Sequence, residues 1–198
     1  MTKIGLYFGS FNPVHIGHMA IAGYMTEYAG LDQIWLVISP HNPLKRKETL
    51  LADHHRYFMS QLAIGDNDRI KASDIEFKLP VPSYTIDTLA YLKEKYAKNE
   101  FGLVMGEDNL YTLHKWKNAA ELVKNYPIYV YPRPESEKPS SPMLDLILLQ
   151  ADIHHVDAPL IEISGTFIRN GIKNRKNMSY FLSEPVWKYI KEMHFYEK

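Results

Sequence analysis

The feature that most constrains the fold is the junction between a short apolar run at residues 4–8 (IGLYF) and the segment GSFNPVHIGH at residues 9–18. The run contains branched and aromatic residues and ends at a glycine, which is typical of a buried β-strand. From Ile16 onward, apolar and small residues recur at helical spacing until Gly30, which predicts a helix over residues 16–29. A strand that passes so directly into a helix is typical of a parallel β-α-β unit.

The same alternation continues along the chain. Further strands are predicted at residues 33–38, 69–72, 101–105, 127–131 and 153–156. Helices are predicted at residues 54–64 after an Asp53 cap, at 85–98, 107–114 and 119–124, and as two C-terminal helices opened by Ser164 or Thr166 and by Ser183. The proline-rich segment 132–142 is predicted to be a loop. The pattern predicts an α/β fold with a doubly wound, mostly parallel sheet and flanking helices, in one domain over residues 1–198 with the C-terminal helices (about 164–198) packed on the sheet.

Composition excludes several classes of function. Lys and Arg total 23 and Asp and Glu total 23, so the formal charge is zero and gives no field that would attract a nucleic-acid polymer. The chain has no cysteine, which excludes disulfides, thiolate metal sites and a cysteine nucleophile. No apolar run approaches the length of a membrane span or a signal-peptide core, so we expect a cytoplasmic protein without a membrane partner.

The segment at residues 9–18 has the chemistry of an anion site. It follows a predicted strand at the edge where parallel sheets bind ligands, and the helix after it presents unpaired amides and the positive end of its dipole. His15 and His18 lie one turn apart, so both imidazoles can face one ligand, and Gly17 between them leaves room for it. Two histidines could also bind a metal, but no third ligand is apparent nearby. The pattern favours phosphate contact over a metal, and the remaining alternative is a turn whose histidines bond only the backbone.

A second anion site is predicted at ISGTFIR, residues 163–169. Ser164 and Thr166 can cap a helix while offering hydroxyls and amides, and Arg169, one turn later, can reach back with two parallel donors. Alone, such a segment is typical of an ordinary helix cap with a surface arginine. Its presence together with the histidine segment favours two contacts with one phosphorylated ligand.

Together, GSFNPVHIGH and ISGTFIR closely resemble the HxGH and serine/threonine-to-arginine motifs of the nucleotidylyltransferase superfamily, and the likeness covers nearly the whole chain. SYTIDTL at 83–89, GEDNLYTLHKW at 106–116 and YPRP at 131–134 resemble in particular the bacterial nicotinate-nucleotide adenylyltransferases. The resemblance implies a Rossmann-like fold and adenylyl transfer from ATP to nicotinate mononucleotide, which gives nicotinate adenine dinucleotide and pyrophosphate in NAD biosynthesis. It also implies Mg²⁺ that accompanies ATP, held by phosphate oxygens and water, and no metal site on the protein itself.

The resemblance also implies roles for individual residues. His15, His18 and Arg169 would be catalytic, with His18 at the α-phosphate. The residues matched to ATP contacts are Gly9, Ser10, Phe11, Asn12, His15, His18, Gly106, Asp108, Ser164, Thr166, Phe167 and Arg169. For the second substrate, Thr85 would hold the nicotinate carboxylate and Trp116 would stack on the pyridine. Arg133 would lie near the substrate phosphate, and Lys45, or Arg46 in its place, would bring a cation to the phosphates.

Two positions depart from the family pattern, and the acceptor stays open. Gly165 stands where a second serine is common, and Glu107 stands where a small residue is common. The same chemistry could serve another acceptor, nicotinamide mononucleotide or phosphopantetheine. Nicotinamide mononucleotide differs from nicotinate mononucleotide only in a carboxamide that replaces the carboxylate. A nucleotide-binding regulator without turnover is a further alternative, against which both histidines and the distal arginine argue. The other histidines, including His54 and His154, are predicted to lie at the surface.

Overall fold

The computed structural model describes residues 1–40, 50–134, 137 and 139–197. In this part of the chain one parallel sheet contains β1 (Thr2–Gly9), β2 (Gln33–Ile38), β3 (Ile70–Ser73), β4 (Asn99–Gly106), β5 (Ile128–Tyr131) and β6 (Ile153–His155). The helices are α1 (Ile16–Tyr28), α2 (Asp53–Ile64), α3 (Thr85–Lys95), α4 (Glu107–Leu110), α5 (Ala119–Asn125), α6 (Pro142–Leu148), α7 (Gly165–Lys173) and α8 (Glu184–Glu192). Short 3₁₀ turns cover Ile75–Lys78, Leu113–Lys115 and Ser179–Phe181. Within these residues no helix is long and apolar enough to cross a membrane.

The order of the strands, β3-β2-β1-β4-β5-β6, places β1 near the centre of the sheet. The chain runs outward from β1 to β3, and then returns to the other side of β1 to continue with β4. Parallel sheets bind ligands in the crevice at such a reversal, beyond the carboxyl ends of the strands. The segment after β1 leaves the sheet at this crevice, and the predicted doubly wound α/β fold is confirmed.

Helices cover both faces of the sheet, because each buries an apolar stripe against it. Neighbouring residues of β1 point to opposite faces, and Tyr7 belongs to the core on one side while Leu6 belongs to the core on the other. Fully buried helix residues on the Tyr7 side include Met25 of α1, Met59 of α2, Ile168 of α7 and Val186 of α8. Those on the Leu6 side include Leu92 of α3, Leu122 of α5 and Leu144 of α6.

Three predicted helices differ from the structure in their boundaries. Asp53 is the first residue of α2 rather than its cap, and its carboxylate lies 2.5 Å from the Arg56 guanidinium. The helix predicted over 85–98 ends at Lys95, because Tyr96 leaves it and packs edge-on against Trp35, with ring centroids 5.4 Å apart. The helix predicted over 107–114 is a single turn, α4, followed by a 3₁₀ turn.

The proline-rich segment ends in a helix, α6, that the sequence pattern did not predict. Ser141 caps it, since its hydroxyl oxygen accepts the backbone N–H of Leu144 at 3.3 Å. Pro142 occupies the first helical turn, where its missing N–H costs nothing. The helix is only seven residues long, which is too short for a clear apolar period.

Candidate active site

A cavity of about 440 Å³ lies beyond the carboxyl ends of β1 and β5. Its wall combines the turn after β1, the first turn of α1, the residues that follow β5, and the N-terminus of α7. The predicted site residues that line it are Ser10, Asn12, His15, His18, Arg133, Ser164, Thr166 and Arg169. Among its described lining residues, two are arginines and none is a carboxylate, which suits a polyanionic ligand. The two segments predicted as anion sites therefore meet at one cavity.

The two histidines stand at the N-terminus of α1 with their rings stacked, the centroids 3.6 Å apart and the planes 25° apart. The backbone N–H of His15 donates to Nδ1 of His18 at 3.3 Å. An amide keeps its proton, so this Nδ1 presents a lone pair and the proton of the neutral His18 ring lies on Nε2. The backbone of α1 thus fixes a tautomer in which Nε2 of His18 is a hydrogen-bond donor.

His15 is held neutral by its surroundings. It is only 4% exposed, and burial together with the charge of Arg133 lowers its pKa from 6.5 to about 4. Its Nδ1 is buried and faces the backbone N–H of His18, in a reciprocal capping arrangement at the start of α1. A Cβ at Gly17 would lie 3.1 Å from this nitrogen, which explains the small residue between the histidines. His15 therefore contributes a neutral ring to the cavity wall.

The N-terminus of α7 supplies the second predicted anion site. Ser164 is the cap of this helix, because its hydroxyl oxygen accepts the backbone N–H of Phe167 at 3.1 Å. Thr166 has a different task, since its Oγ1 accepts Nη2 of Arg169 at 3.1 Å. The structure therefore decides between the two predicted caps in favour of Ser164, and assigns Thr166 to the orientation of the arginine.

Asn12 connects the turn after β1 to α7. Its carbonyl oxygen accepts Nη1 of Arg169 at 2.7 Å. Its side-chain Oδ1 accepts the backbone N–H of Leu51 at 3.3 Å and the hydroxyl of Tyr196 at 2.8 Å. A Cβ at Gly165 would lie 2.8 Å from the Asn12 carbonyl oxygen, which is closer than real Cβ atoms approach. The glycine at this position, a departure from the family pattern, is what allows α7 to approach Asn12 so closely.

A third group of predicted residues surrounds Arg133 after β5. Its Nε lies 3.6 Å from Oδ1 of Asp108, and its backbone N–H donates to Oε2 of Glu107 at 3.1 Å. Gly106 lies directly beneath this contact, and a Cβ there would meet Oδ1 of Asp108 at 2.5 Å. Glu107, the second departure from the family pattern, therefore holds the backbone of the cavity wall.

Comparison with known proteins agrees with this geometry. The model of a family described as cytidylyltransferase-like matches residues 6–171. Probable nicotinate-nucleotide adenylyltransferases of Flavobacterium johnsoniae and Flavobacterium psychrophilum are 56% and 52% identical to this chain, over 99% of it and 100% of each relative. The chain belongs to the nicotinate-nucleotide adenylyltransferase family. The resemblance inferred from its motifs is thereby confirmed, as is its class, the nucleotidyltransferases.

The fold is also that of a solved adenylyltransferase. The structure of Plasmodium falciparum nicotinic acid mononucleotide adenylyltransferase complexed with NaAD superposes on this chain with a TM-score of 0.81. The match covers 100% of this chain and 98% of that one at 19% sequence identity, a level at which only the fold is shown. The predicted Rossmann-like nucleotidylyltransferase fold is confirmed.

One buried residue that shapes the site of this adenylyltransferase family member was not predicted from the sequence. Arg56 of α2 is completely buried, and its Nη1 donates to the carbonyl oxygens of Ser10 at 2.6 Å and Ser39 at 2.9 Å. Its Nε donates to the carbonyl oxygen of Leu51 at 2.9 Å, while Asp53 balances its charge. Burial lowers the pKa of this guanidinium, an effect that its hydrogen bond to the Asp53 carboxylate opposes. Arg56 thus joins the segments that follow β1 and β2 behind the cavity.

Some predicted contacts lie next to the cavity rather than in its described lining. Gly9 ends β1, and Phe11 after it is 1% exposed with a positive φ of 44°. The Phe11 ring supports that of His18 edge-on, with centroids 4.9 Å apart. Phe167 is 48% exposed on α7, beside the Ser164 cap.

The residues predicted to hold the pyridine are not part of the described lining of the cavity. Thr85 begins α3, and Trp116 is half-buried in the turn before α5. The two segments are joined by an ion pair in which Nζ of Lys117 lies 2.9 Å from the Asp87 carboxylate. Lys45 and Arg46 lie outside the described residues, so their predicted phosphate contacts stay predictions.

Proposed function

We propose that this chain transfers the adenylyl group of ATP to nicotinate mononucleotide, forming nicotinate adenine dinucleotide and pyrophosphate, as a step of NAD biosynthesis. The observation that carries the proposal is the meeting of His15, His18 and Arg169 at one cavity whose described lining holds no carboxylate. Relatives that are 51–56% identical over almost the whole chain bear the nicotinate-nucleotide adenylyltransferase name. Solved Plasmodium falciparum relatives were complexed with NaAD and with APC.

The reaction requires alignment and charge compensation rather than a nucleophilic side chain. A phosphate oxygen of the mononucleotide attacks the α-phosphorus of ATP and forms a new P–O bond. The bond from that phosphorus to the oxygen bridging the α- and β-phosphates breaks, and its electron pair leaves with pyrophosphate. Because the attacking phosphate is already an anion, no general base is required. Catalysis then rests on holding two polyanions in line and stabilising the transition-state charge.

His18 and Arg169 fit these two tasks. The tautomer of His18 leaves Nε2–H as a donor, which we assign to an α-phosphate oxygen in the transition state. The neutral ring of His15 lines the cavity and would donate a ring N–H to a neighbouring phosphate oxygen. Arg169, oriented by Asn12 and Thr166, would bind the polyphosphate with its planar fork. The first amides of α1 and α7 would complete the cradle.

The pyridine end of the acceptor is assigned to Thr85 and Trp116. The N-terminus of α3 presents unpaired amides suited to a carboxylate, and an indole face suits a cationic pyridine ring. Lys117 supports the placement of the two segments side by side, because it pairs with Asp87 and lies 4.5 Å from the centroid of the Tyr84 ring. Arg133, which lines the cavity together with the histidines, would meet the acceptor phosphate.

Magnesium would enter with ATP as part of the substrate. Over the described ranges there is no group of three or more His, Cys, Asp or Glu side chains that could hold a metal ion. We expect the phosphate oxygens and water to be the ligands of Mg²⁺, which keeps several waters and binds few protein groups when nucleotides carry it.

The decisive experiment measures pyrophosphate release from Mg²⁺ and ATP with three acceptors: nicotinate mononucleotide, nicotinamide mononucleotide and phosphopantetheine. We expect the fastest release with nicotinate mononucleotide, and a dinucleotide product identified by its mass. Release with none of the three would overturn the proposal, and a faster reaction with either of the other acceptors would overturn the assigned substrate.

Two variants assign the parts of the site in the same assay. His18→Ala should lower kcat by about 10²- to 10³-fold, the usual effect of removing one transition-state donor. Trp116→Ala should chiefly raise the KM for nicotinate mononucleotide and leave the KM for ATP unchanged. His154→Ala, which alters an exposed histidine 3.2 Å from Asp152, is the control and should match the wild type. Equal, small effects of His18→Ala and Trp116→Ala would contradict the assigned roles.

A further inference from the structure

The last residues of the chain return to the site after α8. The backbone reverses between residues 193 and 196, and His194 and Tyr196 both have positive φ angles, 52° and 66°. The left-handed region is unfavourable for residues with a side chain, and such conformations persist where the surrounding packing holds them. The reversal is therefore maintained by the contacts that this segment makes.

Phe195 and Tyr189 anchor the segment to α2. The Phe195 ring packs edge-on against His55, with centroids 4.8 Å apart, and lies 5.7 Å from the ring of Tyr189. The Tyr189 hydroxyl and Nδ1 of His55 form a hydrogen bond of 2.8 Å. These contacts fix the segment beside the helix that carries Arg56.

Tyr196 makes the contact that reaches the site. Its hydroxyl donates to Oδ1 of Asn12 at 2.8 Å, and the same oxygen accepts the backbone N–H of Leu51 at 3.3 Å. Two donors on one amide oxygen fix the orientation of the Asn12 side chain, because its nitrogen cannot take that place. Burial raises the pKa of the Tyr196 hydroxyl well above its usual value despite the charges of Arg169 and Arg56, so it stays a neutral donor.

We propose that Tyr196 is a positioning residue for adenylyl transfer, which acts through Asn12 on Arg169 and on the turn after β1. Asn12 is 5% exposed, lines the cavity, and accepts Nη1 of Arg169 at 2.7 Å through its own carbonyl oxygen. Tyr196 is outside the described lining of the cavity and reaches that lining through its hydrogen bond to Asn12. The inference rests on the proposed function, since Arg169 is assigned there to the polyphosphate.

The test removes one oxygen atom. Tyr196→Phe keeps the ring in place and deletes the hydroxyl that bonds Asn12. We expect kcat/KM for ATP to fall about five- to tenfold, the range for one lost neutral hydrogen bond, with an unfolding temperature close to that of the control variant. Tyr189→Phe is the matched control, because it deletes a hydroxyl of the same region that bonds His55 instead of the site. This control should turn over as the wild type does.

Two further measurements distinguish a specific effect of the Tyr196 hydroxyl on Asn12 from a general loss of packing in this segment. In an Asn12→Ala background, Tyr196→Phe should cause no additional loss, since the residue through which it acts is already absent. The affinity for a non-cleavable ATP analogue with Mg²⁺, measured by calorimetry, should weaken by about the same factor in Tyr196→Phe. This binding measurement decides the inference even if the wild type fails to use nicotinate mononucleotide, a failure that would overturn the proposed function alone.

Three results would overturn the role of Tyr196. The first is wild-type turnover and wild-type nucleotide affinity in Tyr196→Phe. The second is an equal loss in Tyr189→Phe, which would make the effect one of tail packing. The third is full additivity with Asn12→Ala, which would mean that the hydroxyl does not act through that residue.

Discussion

His15 should make the stability of the free protein depend on pH in a predictable direction. Its folded pKa of about 4 lies below the ordinary value of 6.5, so between these values the unfolded chain binds more protons than the folded one. The neutral His15 ring therefore makes its full contribution to the free energy of unfolding above about pH 6.5. This contribution is lost as the pH falls toward 4. With these two pKa values, proton linkage at this one ring lowers the free energy of unfolding by about 2 kcal/mol between pH 7 and pH 5.

Urea unfolding of the wild type and of His15→Asn at pH 7, 6 and 5 measures this contribution. The wild type should lose about 2 kcal/mol more than the variant over that interval, because only the wild type has the buried imidazole to protonate. His154→Asn replaces an exposed histidine and should follow the wild-type curve. Parallel pH dependences of the wild type and His15→Asn would refute the argument that burial and Arg133 hold this ring neutral.

Two further substitutions test the supports of the cavity. Arg56→Met should lower the free energy of unfolding by about 3 kcal/mol or more, because it leaves buried carbonyl oxygens such as that of Ser10 without a donor. Wild-type stability of this variant in urea unfolding would contradict the prediction. Gly165→Ala should raise the KM for ATP about tenfold in the pyrophosphate assay, because the new Cβ would displace α7 from the Asn12 carbonyl oxygen. Gly23→Ala is its control, since nothing lies within 4 Å of a Cβ there, and an equal KM in both variants would show that the close approach is unimportant.

The parts of the fold that the sequence predicted well are those with a local signal. The apolar run and the helical pattern after it predicted a strand and a helix over 16–29, and the structure has β1 and then α1 at Ile16–Tyr28. The cap at ISGTFIR was predicted because side-chain capping is decided within four residues. Ser141 also caps locally, but prolines before it and a helix of seven residues hid α6.

The parts that the sequence did not predict depend on contacts between distant residues. Arg56 bonds Ser10 across 46 residues, and Tyr196 bonds Asn12 across 184. No period or motif encodes such pairs. One local signal did exist, because Arg56 precedes the buried Met59 by three residues and so shares the apolar face of α2. A charged residue on a buried helix face requires partners there, and this could have marked Arg56 as part of the site.

The charge state of the cavity explains why two histidines can stand at one helix N-terminus. Two charged histidines beside Arg133 and Arg169 would repel them, and the structure avoids this by keeping His15 neutral and by fixing Nδ1 of His18 as an acceptor. The neutral rings still present hydrogen-bond donors to phosphate. The positive charge of the described cavity lining is carried by Arg133 and Arg169, and Nε of Arg133 lies 3.6 Å from Oδ1 of Asp108. Such a site attracts a triphosphate with little internal repulsion, and directs its donors to the charge that develops as the new bond forms.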